Sequence, residues 1–284
     1  MQEPAQWKIP DTSLLAFCAT AGRYGKELII NTASYLGPKG IVAPISNGMN
    51  CGNCHLDGGT RLNGNCPAPV ATTYPKFRNR SGKTESIQFR VNDCMERSLN
   101  GKKLDSSSKE MEAIFAYIKW LGKDTPKNIN LKGMGIPEMP LLSRAAAADK
   151  GRKVFEIRCA SCHGVNVRGL LKADSTGYIY PPLWGKHSYN VSAGIFMLSK
   201  LAGFVKYNMP YNAVQQQPLL GDEEAWDVAA YVNSQERTFK IFPEDWPVLN
   251  TKPADYPFGP YVDSFSERRH KYGPFATIKK ANKK

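Results

Sequence analysis

Two copies of a five-residue pattern constrain this chain more than any other feature: CGNCH at 51–55 and CASCH at 159–163. C-x-x-C-H is the pattern of covalent haem attachment. Its two thiols reach the two vinyl groups of one porphyrin, and the adjacent imidazole lies under the iron as proximal ligand. A zinc site needs four ligands, and neither copy has a second Cys/His pair at finger spacing. A thioredoxin-like dithiol needs a βαβ setting, which the surrounding sequence lacks. Cys51, Cys54 and His55, then Cys159, Cys162 and His163, are therefore expected to hold two covalently bound haem c groups.

Both halves of the chain follow one plan: a helical pattern, the motif, a long loop, a closing helical pattern. In the first half GRYGKELIINTASYLG (22–37) precedes the motif, and SSSKEMEAIFAYIKWLG closes with Met111, Ile114, Phe115, Ile118 and Leu121 at helical spacing. In the second, AAADKGRKVFEIR runs straight into CASCH, and GDEEAWDVAAYVNSQE closes with Ala225, Val228, Ala229 and Val232 on one face. This is the plan of an all-α fold of two cytochrome c-like domains. Residues 1–122 and 144–240 are the expected domains, joined by a Pro/Gly/Lys-containing linker at 123–143. Residues 241–284, rich in Pro and aromatics, are expected to form an irregular extension with a solvated basic tail.

At 284 residues and 42% hydrophobic composition the chain suffices for one large or two small cores. No run of 18 apolar residues exists, so no membrane span is expected. The opening MQEPAQWKIP is not a signal peptide. Haem c is attached outside the bacterial cytoplasm, so a periplasmic protein whose signal has been removed is the preferred account. The net charge of +13 suits a basic surface, an acidic protein partner or an anionic substrate. Nucleic acid is not an expected partner, since no RNP, zinc-finger or basic-heptad pattern is present.

The second haem finds a sixth ligand in Met209 of KYNMPYN, 46 residues after His163, with Pro210 stiffening the turn. Met197, Lys200 and Lys206 compete for that role. At the first haem the comparable separation falls on Cys94, with Met95 beside it as a rival. Four cysteines are spent on haem; of Cys18, Cys66 and Cys94, the first two flank the first motif and are expected to pair. Arg90, Cys94 and Ser98 share one helix stripe, while Met95 points about 100° away. A nearby Arg favours thiolate, the form that binds iron. With Arg90, the preceding loop's Arg78, Arg80 and Lys83 make four cationic side chains, more than two propionates need, and Arg forks suit tetrahedral oxyanions.

The segments NGMNCGNCHLDGGT, TYPKFRNRSGK, QFRVNDCMERSLNG, YPPLWGKHSYN and NMPYN resemble the dihaem thiosulfate dehydrogenases, over residues from about 10 to 240. The resemblance implies interconversion of thiosulfate and tetrathionate at a His/Cys-ligated first haem, with the second haem passing electrons to a small periplasmic cytochrome c or iron–sulfur protein. It implies Cys94 as iron ligand, Arg80, Arg90 and Ser98 as substrate-site residues, and Met209 at the second haem. Some members carry Lys beside that Met; here the neighbour is Asn208 and the nearest lysine is Lys206. Because a thiolate lowers haem potential, Cys94 is expected to leave the iron during turnover and carry a sulfur adduct. The rival reading is a dihaem electron carrier with no substrate. A peroxidase is disfavoured, since only His187 and His270 are spare.

Overall fold

A computed structural model describes residues 5–11, 19–129, 131–166, 168–211 and 218–282. In the first half, α1 (Ala19–Ile30) and α2 (Thr32–Leu36) lead to the first motif, and α3 (Leu56–Gly59) and α4 (Ala68–Thr73) follow it. A short hairpin, β1 (Lys76–Arg78) with β2 (Lys83–Glu85), comes next, then α5 (Ile87–Arg97) and the closing α6 (Lys109–Leu121). The second half repeats the order: α7 (Ala148–Arg158), α8 (Ala160–His163), the hairpin β3 (Leu170–Leu171) with β4 (Tyr178–Tyr180), α9 (Leu198–Asn208) and the closing α10 (Asp222–Ser234). Two further helices, α11 (Glu267–Tyr272) and α12 (Phe275–Ala281), end the described chain.

Local chemistry sets the helix boundaries. Ser108 caps α6 by accepting the Met111 N–H, Glu110 and Glu112 occupy its positive end, and Gly122 ends it. Three acids, Asp222, Glu223 and Glu224, open α10, and Glu224 accepts the Gly221 N–H at 2.8 Å. The continuous helix anticipated over 22–37 breaks at Asn31. Thr32 is the reason: its hydroxyl donates back to Leu28 O at 2.6 Å and accepts the Cys51 N–H at 2.9 Å, tying the helix to the motif.

In each half the first and last helices cross, α1 over α6 and α7 over α10. Each crossing is made at a glycine. A Cβ at Gly25 would lie 2.0 Å from the Ala113 carbonyl oxygen, and one at Gly151 would lie 1.8 Å from that of Asp227. Two separate apolar cores result. Leu28, Leu36, Met111, Ile114 and Tyr117 belong to the first, and Phe155, Leu201, Trp226 and Val228 to the second.

The last residues are not the solvated tail that their charge suggests. Phe275 and Ile278, three apart on α12, are buried in the second core, while Lys279 and Lys280 face water. The helix is amphipathic, and counting charge alone misses its apolar stripe. Upstream, Asp255 accepts the Ser199 N–H and hydroxyl at 2.9 and 2.6 Å, and the Trp246 N–H donates to Arg80 O at 2.6 Å. The extension thus touches both haem domains. The domains also meet directly through buried polar groups: Asn190 N–H donates to Arg97 O at 3.1 Å, and Asn47 Nδ2 donates to Ser188 O at 3.0 Å.

Candidate active site

Helix α5 builds the first site. Ser86 caps it by accepting the Phe89 N–H at 3.1 Å, which sets its register. Arg90, Cys94 and Ser98 then fall on one stripe, and all three line a cavity that also holds Cys51, Cys54 and His55. Met95 turns into the first core and is 1% exposed. Of the two rivals at 94 and 95, the structure brings only the thiol to the motif.

His55 Nδ1–H donates to Asn65 O at 2.5 Å. His163 Nδ1–H donates in the same way to Pro181 O at 2.9 Å. Each bond settles the tautomer and leaves Nε2 with its lone pair, as an axial iron ligand requires. His55 and Cys94 line the same cavity, close enough for the imidazole to act on the thiol. Two iron-binding groups therefore face each other over the attachment cysteines, an arrangement that fits a haem held by His55 and open to Cys94. As free thiols Cys51 and Cys54 are pushed by burial up to about 11 and about 12; once joined to the haem vinyl groups they are thioethers and do not titrate. Cys94 differs. Burial raises it too, but the Arg90 guanidinium and His55 outweigh burial and bring it down to about 7. Arg90 Nη1 donates to Cys94 Sγ at 3.0 Å, and that sulfur in turn holds the guanidinium firmly protonated.

Behind these groups runs a line of alternating charge. Arg90 pairs with Asp93 at 3.1 Å, Asp93 pairs with Arg97, and Arg97 makes two hydrogen bonds to Asp245 at 2.7 and 2.8 Å. Burial works against the Asp93 carboxylate, yet Arg90, Arg97 and Arg80 together hold it below the usual range. Arg80 is buried, donates from Nη2 to Ser192 O at 3.0 Å and lies 3.4 Å from Asp245. Burial and then the like charge of Arg97 lower its pKa.

Arg78 also lines the cavity and donates to the Tyr74 hydroxyl at 3.2 Å. Arg78 and Arg80 are presented by the β1–β2 hairpin, where the sequence suggested only a loop. Lys83 does not join them; it is exposed on β2, outside this cavity. The second domain supplies part of the wall through Ile195, Met197 and Lys200. Met197 and Lys200, weighed above as ligands for the second haem, border the first site. Asp93 and Arg97 are not among the residues the sequence singles out, and Lys200 is singled out there only for the second haem. Arg97 lies seven residues after Arg90 and could have been found by extending the stripe. Asp245 and Trp246 carried no local signal at all.

At the second motif, burial lowers His163, which favours the neutral imidazole a metal needs. Met209 caps α9 and is half-buried. Its neighbour Asn208 is fully buried and donates to Asn63 O at 2.9 Å and Phe204 O at 3.1 Å. The Lys206 ammonium is engaged by Asp222. His187 is exposed, and His270 is buried against Tyr261 and bonded to Ala254 O and Asp263. Cys66 is buried; its expected partner Cys18 lies outside the described residues, so that pairing does too.

Comparison with known proteins identifies both domains. Residues 43–126 match the SoxA/TsdA cytochrome c domain family and residues 148–236 the cytochrome c family. Two such domains carry two covalently bound haem c groups. The chain is 36% identical over 213 residues to a thiosulfate dehydrogenase of Stutzerimonas stutzeri, covering 75% of this chain and 66% of that one. It is 36% identical over 217 residues to that of Allochromatium vinosum, covering 74% and 78%. It is 33% identical over 241 residues to that of Psychrobacter arcticus, covering 84% and 71%. Among solved structures, the as-isolated thiosulfate dehydrogenase (TsdBA) from Marichromatium purpuratum superposes with a TM-score of 0.74 at 27% identity, over 82% of this chain and 50% of that one.

Proposed function

This chain belongs to the thiosulfate dehydrogenase family of dihaem cytochromes c, and we propose that it interconverts thiosulfate and tetrathionate at the cavity between His55 and Cys94. The observation that carries this reading is the Cys94 thiol, bonded by Arg90 at 3.0 Å and facing His55 over the attachment cysteines. A plain electron carrier has no use for a thiol held at about 7 among four arginines.

The reaction is 2 thiosulfate → tetrathionate + 2 electrons. One sulfane–sulfane bond forms, and each thiosulfate gives up one electron. Two dianions about 4 Å apart repel by roughly 4 kcal/mol even in bulk water. Arg80, Arg90 and Arg78 offset that repulsion and align the two sulfurs, and Ser98 adds a hydroxyl at the end of the stripe. Cys94 acts as ligand and as sulfur carrier. As thiolate it bonds to the sulfane sulfur of the first thiosulfate, and two electrons leave. The second thiosulfate attacks that sulfur, tetrathionate departs and the thiolate is restored. The two bound haems supply two one-electron acceptors. In this reading Met209 serves the second haem and the Lys206 ammonium, engaged by Asp222, does not. A periplasmic location follows from haem c attachment, and a small electron-transfer protein with an acidic face suits the basic surface of +13 net charge.

The test uses the dihaem protein. Thiosulfate and an artificial electron acceptor are supplied, tetrathionate is assayed, and an EPR spectrum of the oxidised protein is recorded. The proposal expects product and a thiolate-type low-spin signal. Two His/Met-type signals with no product leave the carrier reading.

A further inference from the structure

Asp245 lies outside both haem domains, in FPEDWPVL, where composition gives no sign of a role. Its side chain is nevertheless only 4% exposed. Both oxygens are engaged: Arg97 Nη1 donates to Oδ2 at 2.7 Å and Arg97 Nη2 to Oδ1 at 2.8 Å. Arg80 Nε is 3.4 Å from Oδ2. One carboxylate thus stands between two guanidiniums that both line the first cavity. The neighbouring residues fix it in place. Trp246 N–H bonds the Arg80 carbonyl at 2.6 Å, and the Trp246 ring lies 5.7 Å from the Arg80 guanidinium. Pro247 packs on the hairpin at Gly82, where a Cβ would approach it to 2.6 Å and where φ is +64°. Burying a carboxylate is unfavourable unless its partners are well placed, and a two-bond Arg fork is the placement that offsets the loss of water.

We propose that Asp245 is a positioning residue of the anion site: it holds Arg80 and Arg97 at a set spacing toward the substrate and, through Arg97 and Asp93, keeps Arg90 on the Cys94 sulfur. The inference rests on the thiosulfate reading above. It makes the C-terminal extension part of the site rather than an appendage. Without this carboxylate, Arg80 and Arg97 repel each other and turn apart. Loss of a negative charge by itself favours anion binding. Loss of alignment lowers turnover. The two effects separate in KM and kcat.

The experiment compares wild type, Asp245→Asn and Asp245→Glu as full-length dihaem proteins, with thiosulfate as the probe. Asp245→Asn is expected to lose about tenfold or more in kcat with no rise in KM. Its affinity for thiosulfate, measured by calorimetry on fully reduced protein where no oxidation occurs, is expected to be unchanged or tighter. Asp245→Glu is expected to regain most of the turnover, which a purely packing role would not allow. Wild-type kcat in Asp245→Asn overturns the proposal, as does weakened thiosulfate affinity without loss of kcat. If Asp245→Asn yields no dihaem protein, Arg97→Gln tests the other half of the pair, and undiminished kcat there overturns it equally. A wild-type protein that forms no tetrathionate removes the underlying reading; an active wild type with a fully active Asp245→Asn removes this inference alone.

Discussion

Replacing Arg90 with Met keeps much of the side chain's length and removes a guanidinium 3.0 Å from Cys94 Sγ. Two unit charges at that separation attract by about 1.4 kcal/mol in bulk water and about 5.5 kcal/mol at an effective dielectric of 20. The thiol stands at about 7 rather than 9.0 even though burial opposes ionisation. That net displacement corresponds to ~2.7 kcal/mol, which is what remains after burial and Asp93 have opposed Arg90 and His55. Without Arg90, burial is left with only His55 against it, and the thiol's pKa rises. At pH 7 the thiolate fraction falls accordingly. Ionisation is favoured by alkali, so a raised pKa moves the thiolate-dependent EPR signal of the first haem to higher pH. The expected shift of its midpoint is about two pH units or more in Arg90→Met. The second haem's spectrum serves as the internal control. An unmoved midpoint in a variant with a normal second-haem spectrum would falsify the claim that this guanidinium sets the thiol's state.

Cys94→Met should abolish the thiolate-type EPR signal and lower tetrathionate formation by about a hundredfold or more, an effect of the size seen when a covalent carrier is lost; full activity in that variant ends the carrier role of the sulfur. Met209→Gly should remove the methionine-to-iron absorption band and lower the potential of the second haem, read by spectroelectrochemistry, while the first-haem EPR signal stays in place; an intact band shows that another residue is the ligand. Gly25→Ala and Gly151→Ala each force a methyl group against a backbone carbonyl in a separate core. Each should cost about 2–3 kcal/mol in thermal unfolding, and the proximal-ligand spectrum should suffer only at the haem of the domain that was altered. Equal melting temperatures for wild type and both variants would show that the crossings are looser than they look.

Much of this protein is determined by patterns a few residues long. The two C-x-x-C-H motifs carry haem attachment because both thiols and the imidazole must come from adjacent positions. The closing helices are visible because burial on one face imposes a 3.6-residue period, as in Met111, Ile114 and Ile118. The stripe of Arg90, Cys94 and Ser98 obeys the same geometry, which is why the choice of 94 over 95 as the residue facing the cavity follows from helix pitch. What lies across the cavity obeys no such rule. Lys200 arrives from the second domain and Asp245 from the extension, 148 residues beyond the Arg97 it bonds. No periodicity links such residues, since their meeting depends on how the two cores dock. The break at Asn31 and the burial of Phe275 and Ile278 are of that kind as well: a hydroxyl that serves a distant N–H, and an apolar face whose core is built by residues far away in the chain. Local spacing decides which atoms can hold the iron, whereas charge balance around the substrate depends on long-range contacts whose free energy exists only in the folded chain.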